Sequence, residues 1–66
     1  MSARYAAARR ITESRQAGRV EGVLVDTFTA SALVAVYEAM NETNRARFDS
    51  LPLERLAAFC LSKVSI

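Results

Sequence analysis

Residues 27–41 restrict the possible folds of this chain more than any other segment. Their apolar side chains recur with the period of an α-helix and fall on one side of a helical wheel: Leu33, Val36, Tyr37 and Met40. Thr29 is the predicted N-cap, because Phe28 before it and Leu33 after it have the spacing of a hydrophobic staple. The pattern predicts an amphipathic helix over residues 29–41.

A second helix is predicted over residues 52–64. Pro52 tolerates the first helical turn and disfavours helical geometry in Leu51 before it, so it marks a start. One face of this helix is apolar and consists of Leu53, Leu56, Ala57, Cys60, Leu61 and Val64. Phe59 falls outside that face. Residues 42–48 form one or two helical turns between the two main helices, which together make a helical hairpin.

The N-terminal third combines a third helix with an extended connector. Residues 3–17 are rich in Ala and Arg, which favour helix, and Gly18 lies where a helix ends. Three of the six residues 20–25 are valine, and the segment lacks a helical period, which is typical of an extended segment. Two interpretations follow. The segment is a linker that covers the helical core, or it is a strand that pairs with the same strand of a second copy.

The length and composition bound the architecture. With 66 residues the chain forms a single domain with a thin core. We divide it into a basic N-terminal helix or arm (1–18), an extended connector (19–26) and a helical hairpin (27–66). It has one cysteine and no histidine, which excludes an intramolecular disulfide and a Cys/His zinc site. No metal, cofactor or small-molecule substrate is expected.

The fold class is therefore all-α, a small three-helix arrangement that we expect to be oligomeric. The hydrophobic content of 52% is high for so short a chain and indicates an additional buried surface. A single hairpin cannot bury all of its apolar side chains. The predicted contacts between copies, or with another protein, are Val23, Leu24, Val25 and Phe59.

Positive charge is concentrated at the N-terminus. Residues 1–19 carry five arginines and one glutamate, a net charge of +4, and residues 20–66 carry four basic and six acidic side chains, a net charge of −2. The arginines are Arg4, Arg9, Arg10, Arg15 and Arg19. Such an arm can contact nucleic acid or an acidic protein surface, including that of a neighbouring copy.

The two common helical DNA-binding folds fit the sequence poorly. A ribbon-helix-helix fold would present a face with an acid and two valines to the bases, formed by Arg19, Glu21, Val23 and Val25. A helix-turn-helix fold would place Glu54 at the start of its recognition helix. Neither set suits DNA. A DNA-associated regulator that uses the arginine arm remains the alternative to a protein interaction module.

Catalysis and membrane insertion are not expected. Cys60 lies on an apolar helix face with no histidine to activate it, so it is predicted to be a structural thiol. The longest uncharged run, residues 27–37, has 11 residues, well below the ~20 that a membrane-spanning helix needs. With no secretory signal, the predicted location is the cytoplasm.

Residues 26–41, followed by Asn44, Phe48 and Leu51-Pro52, resemble small uncharacterised proteins of tailed phages that infect actinobacteria. The resemblance covers residues 26–64 and is less clear over the basic N-terminal part. It implies a phage accessory protein that acts in the host cytoplasm, with a host protein as a possible partner. Because the shared pattern is structural, it implies no catalytic residues.

Overall fold

Four helices and one β-hairpin make up the structure, a computed structural model that describes residues 2–64. In chain order the elements are α1 (Ala3–Ser14), β1 (Gly18–Val20), β2 (Val23–Val25), α2 (Thr27–Ala39), α3 (Glu42–Ser50) and α4 (Leu53–Val64). The predicted helical character is confirmed. The all-α assignment needs one correction, because β1 and β2 form a small antiparallel sheet.

The first helix is shorter than the predicted 3–17. The Ser2 side chain accepts a hydrogen bond from the Tyr5 N–H and caps its start. Its end is Ser14, because Arg15 adopts the left-handed conformation with φ of 59° and its N–H bonds to the Ile11 carbonyl. The chain then turns back across α1. A Cβ at Gly18 would lie 2.9 Å from Ile11 Cγ1, so glycine allows β1 to pack closely on this helix.

The connector is neither a plain linker nor a lone strand, because its two halves pair with each other. Val20 faces Val23 across a two-residue turn formed by Glu21 and Gly22, with φ values of 54° and 80°. Positive φ at both turn residues matches the right-handed twist of the two strands. Each strand therefore has a partner within the chain, which sequence periodicity did not reveal.

Helix α2 begins two residues earlier than the predicted residue 29. Asp26, not Thr29, is the N-cap, and its carboxylate accepts a hydrogen bond of 2.7 Å from the Thr29 N–H. The apolar residues at the staple positions of this start are Val25 and Ala30, both buried. Phe28 therefore does not form the predicted staple, and its side chain is exposed.

The connector between the main helices is a helix of its own. Asn41 caps α3 by accepting a hydrogen bond of 2.9 Å from the Asn44 N–H. The helix ends at Ser50, and Leu51-Pro52 separates it from α4 as the proline predicts.

The core lies between α1, α2 and α4 and is closed by the hairpin on one side and α3 on the other. Helix α1 packs on α2 within the same chain. The largest fully buried side chains come from four of the five parts of the fold: Val20, Leu33, Phe48, Leu56 and Cys60. None of the helices in residues 2–64 has the length and apolar character needed to span a membrane.

Candidate interaction surface

Arg4 is a buried structural residue and not part of an exposed arm. Its guanidinium donates two hydrogen bonds to the Glu21 carboxylate, of 2.6 and 3.0 Å, and a third of 2.8 Å to the Phe48 carbonyl. This clamp joins α1 to the hairpin turn and to α3. It holds the backbone of Glu21 in a left-handed conformation that residues other than glycine rarely adopt. The hydrogen bonds from Arg4 also hold the pKa of the Glu21 carboxyl below its ordinary value.

Three aromatic rings pack beside this clamp. Tyr5 and Tyr37 stack with ring centroids 4.3 Å apart, and Phe48 meets Tyr37 edge-on at 4.9 Å. Arg45 lies over the other side of Tyr37, 4.7 Å from the ring centroid, and donates to the Tyr37 carbonyl at the end of α2. We call these residues, with Arg4, the aromatic corner.

The remaining predicted arm residues divide into two kinds. Arg9 is bound to its own helix, through Glu13 at 3.2 Å and the Tyr5 hydroxyl at 3.1 Å. Like that of Arg9, the side chains of Arg10, Arg15 and Arg19 are exposed. Arg10 and Arg19 line the same shallow cleft between α1 and β1, and Arg19 donates to the Gly22 carbonyl at 2.9 Å. Of the five predicted contact arginines, Arg4 is therefore buried in the fold, and the other four lie at the surface.

Cys60 lies in the core, as its place on the apolar face of α4 predicts. Its thiol is fully buried, and burial raises the thiol pKa above the ordinary value. Among residues 2–64 no group of three or more His, Cys, Asp and Glu side chains could hold a metal ion.

Strand β2 leaves apolar side chains in water. Val23 is 45% exposed and Leu24 is 66% exposed, whereas Val25, the third predicted contact in this segment, is only 6% exposed and belongs to the core. Phe28, in the first turn of α2, is 63% exposed. We call Val23, Leu24 and the outer backbone of β2 the β2 edge.

An apolar groove of about 300 Å³ runs beside the β2 edge. Its walls come from the hairpin and from the first turns of α2 and α4: Ala17, Val23, Leu24, Val25, Asp26, Thr29, Leu53, Glu54 and Ala57. Hydrogen bonding from Thr29, through its side chain and its backbone amide, lowers the pKa of the Asp26 carboxyl at the rim. The groove is thus an apolar depression with two carboxylates, Asp26 and Glu54, along its border.

Phe59 lies elsewhere. It is 45% exposed and lines a second groove of about 280 Å³ with Met40, Asn44, Arg47, Phe48, Leu51 and Leu56. The Lys63 ammonium sits 5.3 Å from the centroid of its ring. Since Ala57 and Phe59 are about 200° apart around α4, the two grooves flank the helix on different sides. The structure therefore does not unite the four predicted contacts in one patch.

The strand register gives the β2 edge its hydrogen-bonding capacity. Gly18 faces Val25, Arg19 faces Leu24, and Val20 faces Val23. The pair next to a two-residue turn is hydrogen-bonded, and bonded and non-bonded pairs alternate from there. Arg19 and Leu24 are therefore the non-bonded pair, and the Leu24 N–H and C=O point away from β1. Sequence reasoning missed this hairpin: Gly22 between two valines is a local signal for it, but the turn lacks the Asn-Gly or Asp-Gly pair typical of such hairpins.

Comparison of the chain with models of protein families, with curated proteins and with solved structures finds no match. The resemblance to phage proteins stays a prediction.

Proposed function

We propose that this protein is a non-enzymatic interaction module that associates with a second copy of itself through the β2 edge. The observation that carries the proposal is the exposure of Val23 and Leu24 beside an apolar groove, with Phe28 exposed nearby. Grouped apolar side chains at the surface of a small domain are typical of protein contacts.

Association also supplies what a chain of this size lacks. A domain of about 60 residues buries only ~60% of the surface of its unfolded chain, so its stability is marginal. Removing a leucine side chain from water contributes about 1.5–3 kcal/mol. Covering Leu24 and its neighbours in a dimer therefore stabilises both copies, with no disulfide or metal.

Light scattering and sedimentation velocity test self-association directly. We expect the apparent mass of the wild-type protein to rise toward that of a dimer between low and high micromolar concentration. Leu24→Glu places a charge on the β2 edge and should keep the protein monomeric with an unchanged helical circular dichroism spectrum. Phe59→Glu is the matched control on the other groove and should still associate. A wild-type protein that stays monomeric throughout this range contradicts the proposal.

Three exposed arginines support a second candidate function, a DNA-associated regulator. Arg10, Arg15 and Arg19 lie where α1 meets β1, and Arg10 and Arg19 share one cleft. Such a cluster can bind phosphates with an affinity that falls steeply with salt. Fluorescence anisotropy with duplex DNA, comparing wild type with Arg10→Gln/Arg15→Gln/Arg19→Gln, tests it. Weak binding that is insensitive to salt and to the three substitutions eliminates this candidate.

We further propose that the protein is a phage accessory protein that acts in the cytoplasm of its bacterial host. The resemblance of residues 26–64 to proteins of actinobacterial phages supports this. A host protein is then the alternative occupant of the β2 edge. Affinity capture from host lysate with wild type and Leu24→Glu tests this: a host protein retained only by the wild type identifies that occupant.

A further inference from the structure

We infer that two copies of this chain pair through their β2 strands, antiparallel, about a two-fold axis at Leu24. The two hairpins then form one four-stranded antiparallel sheet. This inference rests on the proposed self-association and adds its geometry: which atoms meet, in which register, and which charges lie opposite each other.

The backbone register selects this arrangement. The outward N–H and C=O of Leu24 are the groups that a new neighbouring strand must satisfy. In an antiparallel pair centred on Leu24, the N–H of each copy donates to the C=O of the other. The same residue supplies donor and acceptor, so the edge is complementary to itself, as a two-fold interface requires.

Side-chain placement agrees with the same register. With Leu24 opposite Leu24, Val23 of each copy lies opposite Val25 of the other, on the hairpin face that carries the buried Val20 and Val25. The half-exposed Val23 is thereby covered. On the opposite face the two exposed Leu24 side chains become direct neighbours and shield each other from water.

The charges beside the strand are also complementary. In this register Gly22 lies opposite Asp26 of the second copy, and the backbone of Asp26 is extended with φ of −79° and ψ of 169°. The Arg19 guanidinium is held at the Gly22 carbonyl, at 2.9 Å. Each Arg19 is therefore brought toward the Asp26 carboxylate of the other copy, twice per dimer. An extended peptide of another protein would need an acid at the matching position, whereas a second copy supplies it.

Apart from its shortness, the β2 edge lacks the features by which proteins prevent such pairing. An exposed edge strand usually carries a lysine, a proline, a bulge or an inward-pointing charge. Val23, Leu24 and Val25 provide none of these, and their paired register is regular. Three residues of strand bury too little for a stable dimer by themselves, so the groove contact and the two ion pairs have to contribute.

Disulfide trapping tests the register. The two Leu24 Cα atoms would lie about 5.5 Å apart, within the range of disulfides, and the two Val23 Cα atoms roughly 8 Å apart, beyond it. Leu24→Cys and Val23→Cys are a matched pair at exposed neighbouring positions. In a glutathione redox buffer we expect Leu24→Cys to form a linked dimer at least about tenfold faster than Val23→Cys. The wild type, whose Cys60 is buried, is the control for linkage through the native thiol.

The outcomes separate this inference from the proposed function. A wild type that associates while Leu24→Cys links no faster than Val23→Cys overturns the register and leaves self-association standing. A wild type that never associates overturns both. Faster linkage at residue 24, with a peptide map that joins residue 24 to residue 24, supports the two-fold pairing.

The predicted ion pairs give a second readout that avoids cysteine. Asp26→Asn keeps a capping side chain and removes the charge, and Arg19→Gln removes the other partner. Each substitution should weaken dimerisation about three- to tenfold, and the double variant should be little weaker than either. Full additivity of the two effects on the dimer dissociation constant contradicts the Arg19–Asp26 contact.

Discussion

The aromatic corner and the β2 edge lie in one small domain, but they differ in whether their hydrogen-bonding and apolar groups have partners within the fold. At the aromatic corner, Arg4 and Arg45 donate to backbone carbonyls, Arg45 covers the Tyr37 ring, and Phe48 is fully buried. At the β2 edge, Leu24 is two-thirds exposed and its backbone N–H and C=O point outward. At the aromatic corner these groups are paired or packed within the fold, whereas at the β2 edge they are available to another molecule.

This difference separates the scaffold from the surface that can carry specificity. Arg4 was predicted to contact a partner, but it forms a clamp within the fold. The positive charge at this N-terminal position therefore stabilises the fold. The clamp fixes Glu21 at the hairpin turn and thereby the position of β2. The corner therefore holds the edge in place, and the edge is the surface that we propose for self-association.

The largest expected effect comes from Phe48→Ala. Emptying the site of a fully buried phenylalanine costs about 3–5 kcal/mol, a large part of the stability of so small a domain. Urea denaturation followed by circular dichroism measures this loss. Phe59→Ala removes the same side chain from a half-exposed site and should cost about 1 kcal/mol or less. Equal losses at the two sites contradict the distinction between core and surface.

Arg4→Met should have the next largest effect. It removes the clamp on Glu21 and leaves the Phe48 carbonyl without its donor, and we expect a loss of about 1–3 kcal/mol in the free energy of unfolding. Arg10→Met is the matched control on the exposed side of the same helix and should change stability by less than about 0.5 kcal/mol. An unchanged free energy of unfolding in Arg4→Met would mean that the clamp is dispensable.

Acid should weaken the hairpin turn, through Glu21, and the start of α2, through Asp26. The folded-state pKa values of Glu21 and Asp26 lie below their ordinary values of 4.5 and 3.8. Their ionised forms therefore stabilise the folded state at pH values above those ordinary values, and this contribution is lost as the pH falls through the lowered pKa values. Melting temperatures between pH 7 and about pH 2.5 should fall less steeply for Glu21→Gln/Asp26→Asn than for the wild type. Arg4→Met should reduce the slope as well, because it removes the partner of Glu21. An unchanged slope in both variants contradicts the assignment.

The smallest expected effect on folding is that of Leu24→Gln. Its side chain is mostly in water, so the free energy of unfolding of the monomer should change by less than about 0.5 kcal/mol. Dilute urea denaturation, at concentrations where the wild type is monomeric, measures this. The same variant should lose concentration-dependent association. A strong destabilisation of the monomer would show that Leu24 belongs to the core.

The helical periodicity of the sequence predicted α2 and α4 within three residues at each end, because each packs regularly spaced apolar side chains against the core. The periodicity did not predict the helix ends that are set by local hydrogen bonds and backbone conformation. Asp26 outcompetes Thr29 as a cap, and Arg15 ends α1 before Gly18. The hairpin was missed because its strands have only three residues and one of its turn residues, Glu21, is held by Arg4 from a distant part of the chain.

Site prediction shows the same limit. The exposure of Phe59 follows from its place outside the apolar stripe of α4. The burial of Val25 depends on the strand face that the hairpin turn selects, and the burial of Arg4 depends on the Phe48 carbonyl 44 residues away. Neither can be deduced from local sequence.

Hydrogen exchange at the Leu24 amide is the most direct measurement of the central claim, that the β2 edge is the self-association surface. In the monomer this N–H points into solvent and should exchange rapidly. In the dimer it donates to the second copy, so its exchange should slow as protein concentration rises. The Arg19 amide, on the other edge of the same hairpin, should show no such dependence. Rapid exchange at Leu24 at every concentration, in a protein that light scattering shows to be dimeric, would contradict the claim.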